Sequence, residues 1–289
     1  MANLLDIRRR IKSVKNTQQV TKAMKMVSAA KLRRAQDRVI NARPFAAKMR
    51  AMLENLASQT AEDFHHPLLD ARGDQRYRVF LITSDKGLCG GFNANLIKAT
   101  QAFLKEHADK EIELVTIGRK GRDFFRRQRP LADEFIGLTG KGTVFFEEAV
   151  QVARERLVKR FTDDEGLDKI FVIFSEFKSV ISQRVVVEQL LPIAQEVGEE
   201  GQSTQRDYIF EQPPAEIFGR LLPRLVETQI YRALLESIAS EHGARMTAMD
   251  AATKNAGELI STLTLNMNRI RQAAITREII EIVSGAAAL

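Results

Sequence analysis

The sequence predicts an α/β protein in which helices from the two ends of the chain pair as an antiparallel coiled coil and an open, mostly parallel sheet is inserted between them. Two observations predict this. Both ends carry apolar residues at alternating three- and four-residue steps, the spacing of a coiled-coil seam. The middle carries short apolar runs of strand length separated by helical patterns, the order of a sheet covered on both faces.

The N-terminal segment, 1–58, contains one proline and no glycine. Leu4, Ile7, Ile11 and Val14 follow a 3-4-3 spacing. The pattern returns at Leu32, Ala35, Val39, Ala42, Ala46, Met49, Leu53 and Leu56. Between them Lys15–Gln19 is polar, and the register is expected to slip so that Val20, Met24 and Val27 carry the apolar stripe. Pro44 predicts a break or kink, because it lacks an N–H and crowds the preceding turn. Helical throughout, the segment would extend roughly 80 Å, longer than a compact core needs. The C-terminal segment, 213–289, repeats the pattern at Met249, Ala252, Ala256, Leu259 and Leu263, with many alanines that allow close helix approach. Each seam needs a partner to bury it, and the two ends supply one another.

In the middle segment, 75–210, strands are predicted at Tyr77–Thr83, Glu113–Ile117 and Ile170–Phe174. Arg184–Leu191 fits a further strand, hairpinned to the one before. Helical patterns lie around Asn93–His107 and Phe146–Phe161. Ala61–Gln75 and Gly198–Pro214 read as linkers.

Of 289 residues 44% are hydrophobic, which is ordinary for a globular protein, but only 7% are aromatic and none is Trp. The net charge of +7 favours an acidic partner. The one cysteine, Cys89, excludes an internal disulfide and suits a reducing compartment. No apolar run reaches the ~18 residues of a membrane span, and the first residues lack an apolar signal core.

Catalytic motifs are scarce. The loop Ser84–Phe92 (SDKGLCGGF) follows a strand and precedes a helix, where glycines can cradle phosphate. Its spacing matches neither dinucleotide nor P-loop fingerprints; it reads as a tight turn at the sheet edge, a place for a partner to dock. Gly137–Thr143 (GLTGKGT) also misses the P-loop spacing, follows no evident strand, and reads as a flexible loop. Cys89 has no histidine nearby in sequence, so a structural thiol is favoured over a nucleophile. His65, His66, His107 and His242 show no metal-ligand spacing. No cofactor or metal is expected. The first 50 residues are strongly basic, with only Asp6 and Asp37 as acids. A basic coiled coil that binds nucleic acid is therefore the alternative. Against it, the charges run around the helix, and Phe45 is the only aromatic available for stacking.

Three motifs carry a family resemblance. The C-terminal run Ile275–Ala288 (ITREIIEIVSGAAA), the N-terminal run Ile11–Val27 (IKSVKNTQQVTKAMKMV) and the loop Asp85–Gly91 (DKGLCGG) occur in order along the chain. Together they resemble the gamma subunit of F-type ATP synthases. The resemblance implies a Rossmann-like middle domain and a central rotor shaft without a catalytic site. Its implied partners are the alpha and beta subunits of a catalytic hexamer, the epsilon subunit and the c-subunit ring, with no nucleic acid and with the membrane reached only through the complex. By position, Thr21, Lys22, Met24 and Lys25 correspond to the stretch that passes the beta subunits. Arg271, Gln272, Thr276 and Glu278 correspond to contacts with beta-subunit loops, and Asp207, Tyr208 and Glu211 to the foot on the c-ring. The lack of a cysteine pair in the middle domain and the start at Met1 without a transit segment suit a bacterial protein, peripheral on the cytoplasmic side of the plasma membrane.

Overall fold

The computed structural model describes residues 4–59, 65–140, 144, 146–164, 166–193 and 214–287. The described elements run in the order α1 (Leu4–Gln59), β1 (Arg76–Ile82), α2 (Phe92–Glu106), β2 (Glu111–Ile117), α3 (Arg119–Phe125), β3 (Asp133–Phe135), α4 (Phe146–Ala153), a π turn (Arg154–Val158), α5 (Lys159–Asp163), β4 (Lys169–Phe177), β5 (Gln183–Leu191) and α6 (Pro214–Ala287). The expected linker at Gly198–Pro214 lies, up to its last residue, outside the described residues. Two compact units emerge, one from residues 1–28 and 245–289 and one from 29–244, so α1 and α6 contribute to both.

In the larger unit the strand order is β3-β2-β1-β4-β5. β1 pairs in parallel with β2 and β4, β2 with β3, and only β4–β5 is antiparallel. This is the predicted open, mostly parallel sheet with an added hairpin strand. One face packs Tyr77, Val79, Leu81, Leu114 and Ile173 against Phe92, Leu96 and Phe103 of α2 and Phe125 of α3. The alternate residues Phe80, Ile82, Val115, Val172 and Phe174 are equally buried, as a sheet covered on both faces requires. Each fully buried aliphatic or aromatic side chain contributes roughly 1.5–3 kcal/mol.

α6 is fastened to β4 by polar contacts. The Ser175 amide donates to Ser237 Oγ at 3.1 Å, and Ser240 Oγ donates to the Ser175 carbonyl at 3.0 Å. Glu236 accepts the Phe177 amide at 2.9 Å and Arg43 of α1 at 2.8 Å. One carboxylate thus joins α1, β4 and α6.

Several expectations are corrected. No break occurs at Pro44, which lies on an exposed face of a helix that continues through it. The strand β3 precedes the Gly137 loop, although its three residues are too short to register as a strand in the sequence. The Asp85–Gly91 loop leaves β1, the middle strand of five, and not the sheet edge. Helix α3 escaped notice because it spans only Arg119–Phe125, two turns with a glycine inside.

Candidate functional site

The smaller unit is a helix pair, and its surface is the candidate site. Thr21 Oγ1 meets Thr253 Oγ1 at 2.8 Å, Gln18 Nε2 donates to the Thr253 carbonyl at 3.4 Å, and Lys25 Nζ donates to Asp250 Oδ1 at 2.6 Å. Moving forward along α1 moves backward along α6, so the pair is antiparallel. Ile7, Thr21 and Ser28 are buried, while Ile11, Val14, Gln18 and Lys25 are half-buried.

The inward positions 7, 11, 14, 18, 21, 25 and 28 therefore step 4-3 without interruption, and 32, 35 and 39 keep the same spacing in the larger unit. The expected slip onto Val20 and Val27 does not occur, for both are more than half exposed, at 58% and 57%. The seam keeps its register and changes its chemistry, from apolar residues to Gln18, Thr21, Lys25 and Ser28. On α6 the inward residues are Met249, Thr253, Ala256, Ile260, Leu263, Met267, Ile270 and Ala274, again at 4-3 spacing. Leu259, expected in the seam, is 47% exposed.

Electrostatics follow this geometry. Lys25, and then Lys254, hold the Asp250 carboxyl below the ordinary carboxylate range through hydrogen bonds. Gly257 lies where an added Cβ would come within 3.1 Å of Gln18 Nε2, so the small residue lets this amide sit between the helices.

The sequence-predicted contact residues fall into distinct settings. Thr21 and Lys25 face α6, Lys22 is exposed and Met24 is half-buried. Arg271, Gln272, Thr276 and Glu278 are all exposed, and Thr276 Oγ1 donates to the Gln272 carbonyl at 3.0 Å. Asp207, Tyr208 and Glu211 lie outside the described residues. Sequence reasoning missed the apolar exposure that accompanies these positions. Val20, Met26 and Val27 on α1 and Ile275, Ile279, Ile282 and Val283 on α6 present large side chains outward. Extending the Leu4–Val14 spacing through the polar stretch to Leu32 would have revealed the first group.

In the larger unit the Asp85–Gly91 loop is held from both sides. Asp85 accepts the Arg119 amide at 3.0 Å, the Gly137 amide at 3.1 Å and Thr139 Oγ1 at 3.2 Å. These bonds tie down the start of the expected flexible loop, whose residues 141–143 lie outside the described residues. Cys89 is buried, with Asn93 Nδ2 3.1 Å from its sulfur. Leu88 points outward, 63% exposed, from a left-handed backbone at φ 62°. Among the described residues no cluster of His, Cys, Asp or Glu could hold a metal ion, and no helix is long and apolar enough to cross a membrane.

An antiparallel helix pair with polar residues at the centre of its seam and apolar residues facing outward, in a chain that also carries an α/β unit, defines a coiled-coil protein with an inserted sheet. The comparisons give that class its family. Residues 3–289 match the family model described as ATP synthase. The ATP synthase gamma chain of Solibacter usitatus is 54% identical, covering 100% of this chain and 99% of its own. That of an Anaeromyxobacter species is 50% identical with both chains covered completely. Among solved structures, a chain from the central stalk and c-ring of Tetrahymena thermophila mitochondrial ATP synthase is 27% identical, with a TM-score of 0.59 over 81% of this chain and 99% of that one. A chain from Euglena gracilis mitochondrial ATP synthase in rotational state 3 shares the fold, at 18% identity and a TM-score of 0.68, over 99% of this chain and 94% of that one. The chain belongs to the ATP synthase gamma chain family, the non-catalytic rotor subunit of the central stalk.

Proposed function

We propose that the helix pair turns inside a hexamer of alpha and beta subunits while the middle domain, 75–210, forms a foot with the epsilon subunit and the c-ring. The observation that carries this reading is the outward surface of the pair. From Arg271 onward α6 exposes isoleucines beside charged and amide groups, a surface whose exposure in water is unfavourable and whose natural place is inside a sleeve. Arg271, Gln272, Thr276 and Glu278 make the upper contacts with beta-subunit loops. Lys22 and Met24 make the lower ones, with Thr21 and Lys25 holding the helix that presents them. Asp207, Tyr208 and Glu211 meet the c-ring.

The shaft does no bond chemistry. Each beta subunit meets a different side of the helix pair, and each side favours a different open or closed state. Rotation driven by ion flow through the ring then moves the three sites through successive nucleotide affinities. This is population shift by contact. The net positive charge complements an acidic sleeve. The location that follows is the cytoplasmic side of a bacterial plasma membrane, peripheral and bound through the complex.

Co-purification tests this. The tagged full-length chain is expected to bring down alpha, beta and epsilon subunits in stable stoichiometry. Failure to do so, together with tight DNA binding that weakens steeply with salt, would replace the shaft with the nucleic-acid alternative.

A further inference from the structure

A cavity of about 530 Å³ opens beside the first residues of β2 and β3 and the π turn. Four arginines line it, Arg78, Arg129, Arg156 and Arg160, against three acids, of which Glu113 and Asp133 lie inside and Glu155 is exposed on the turn. Arg78 occupies the middle strand and is only 4% exposed, a costly position for a guanidinium. Its Nη1 donates to Glu113 and its Nη2 to Asp133, both at 2.7 Å. Its Nε is buried without a hydrogen-bond partner.

The two carboxylates are shared among four guanidinium groups. Glu113 also faces Arg76 at 3.4 Å and Arg160 at 3.6 Å, and Asp133 faces Arg156 at 3.4 Å. Each arginine offers five N–H donors. Arg160 also pairs with Asp164 at 3.0 Å; these contacts still leave N–H donors on Arg156 and Arg160, whose side chains are 46% and 42% exposed. The π turn, a local geometry often found at functional sites, carries Arg156 to this place. Ile112, Leu114 and Leu131 supply an apolar wall.

We propose that this cavity binds a phosphate-bearing anion, gripped by Arg156 and Arg160 at the mouth with Arg78 Nε behind them. A planar guanidinium matches phosphate oxygens in pairs, and the volume is that of a small-molecule site. The phosphate has two possible sources, a soluble compound or the headgroup of an anionic phospholipid.

The test uses the full-length chain and its Arg156→Gln and Arg160→Gln variants. Both positions are half-exposed, and an unchanged melting temperature verifies folding. Calorimetry with inorganic phosphate, pyrophosphate and ADP is run beside flotation with phosphatidylglycerol and phosphatidylcholine vesicles. Each variant is expected to weaken binding about tenfold. Arginine-dependent binding of the soluble probes assigns a soluble ligand. Arginine-dependent binding of phosphatidylglycerol vesicles alone assigns a lipid headgroup. No binding of any probe, or binding that both folded variants retain in full, overturns the proposal. Neither result bears on co-purification with alpha and beta subunits, so the rotor reading stands or falls separately.

Discussion

Glu236 is the joint where the two long helices meet the sheet, and replacing it with alanine tests how the larger unit is held together. The carboxylate side chain is 5% exposed. One oxygen accepts Arg43 Nε at 3.1 Å and Nη2 at 2.8 Å, and the other accepts the Phe177 amide at 2.9 Å. Alanine strands a buried N–H and leaves Arg43 with only the Phe177 carbonyl, 3.2 Å from Nη2. The Arg43 left behind is 49% exposed and stays hydrated, so the cost is that of hydrogen bonds to a charged group, about 1.5–3 kcal/mol. In a unit of this size each kcal/mol lowers the melting temperature by roughly 2–4 °C, so the loss is roughly 3–12 °C. Glu236→Gln keeps an acceptor for the amide and loses the charge, and is expected to fall between the alanine variant and the parent. Differential scanning calorimetry of the full chain measures both. A Glu236→Ala transition within about 2 °C of the parent would show that the joint carries no such energy.

Three further outcomes follow from the same geometry. Gly118 has φ +100°, and an added Cβ would lie 2.2 Å from the Thr83 carbonyl oxygen; Gly118→Ala is expected to cost more than about 3 kcal/mol in urea unfolding, beyond ordinary backbone strain. Thr21→Val alone breaks its bond with Thr253 and is expected to cost about 0.5–1.5 kcal/mol, whereas the Thr21→Val, Thr253→Val pair returns close to the parent, because two apolar groups replace a matched polar pair; a double-mutant cycle by urea midpoint decides it. Burial, and then the hydrogen bond to Asp74, push the Tyr77 phenol up to about 12. Its neutral form is favoured by folding, so the stability it confers is intact below the unfolded value of about 10 and is lost as pH rises through the folded one. With Tyr208 and Tyr231 changed to phenylalanine, leaving Tyr77 as the only tyrosine, tyrosinate absorbance is expected to rise near pH 12, and a midpoint near 10 would contradict this.

The sheet was legible because parallel strands buried on both faces have to be continuous apolar runs, as YRVFLIT, ELVTI and IFVIF are. The edge strand β3 was not, since Asp133–Phe135 pairs on one side only and carries two acids. Helix pairing was legible from spacing, but the centre of the seam was misjudged by following apolarity. Gln18, Thr21 and Lys25 turn inward because α6 offers Thr253, Asp250 and the space over Gly257 to receive them. That complementarity lies on a segment more than two hundred residues away and has no local signature. The displaced Val20 and Val27 then face outward, where a partner surface would need them. The arginine cavity was invisible for the same reason, since Arg78, Glu113, Asp133 and Arg156 come from four separate elements.

In the proposed role the paired helices transmit rotation through their exposed upper surface. The direct measurement is ATP-driven ion pumping by membrane vesicles carrying the assembled complex with this chain ended after Ile270, which removes Arg271, Gln272, Thr276 and Glu278 while the larger unit, 29–244, stays intact. Pumping is expected to fall well below that of the full-length complex at equal ATP hydrolysis, with assembly preserved. Pumping equal to that of the full-length complex would contradict the role given to that surface.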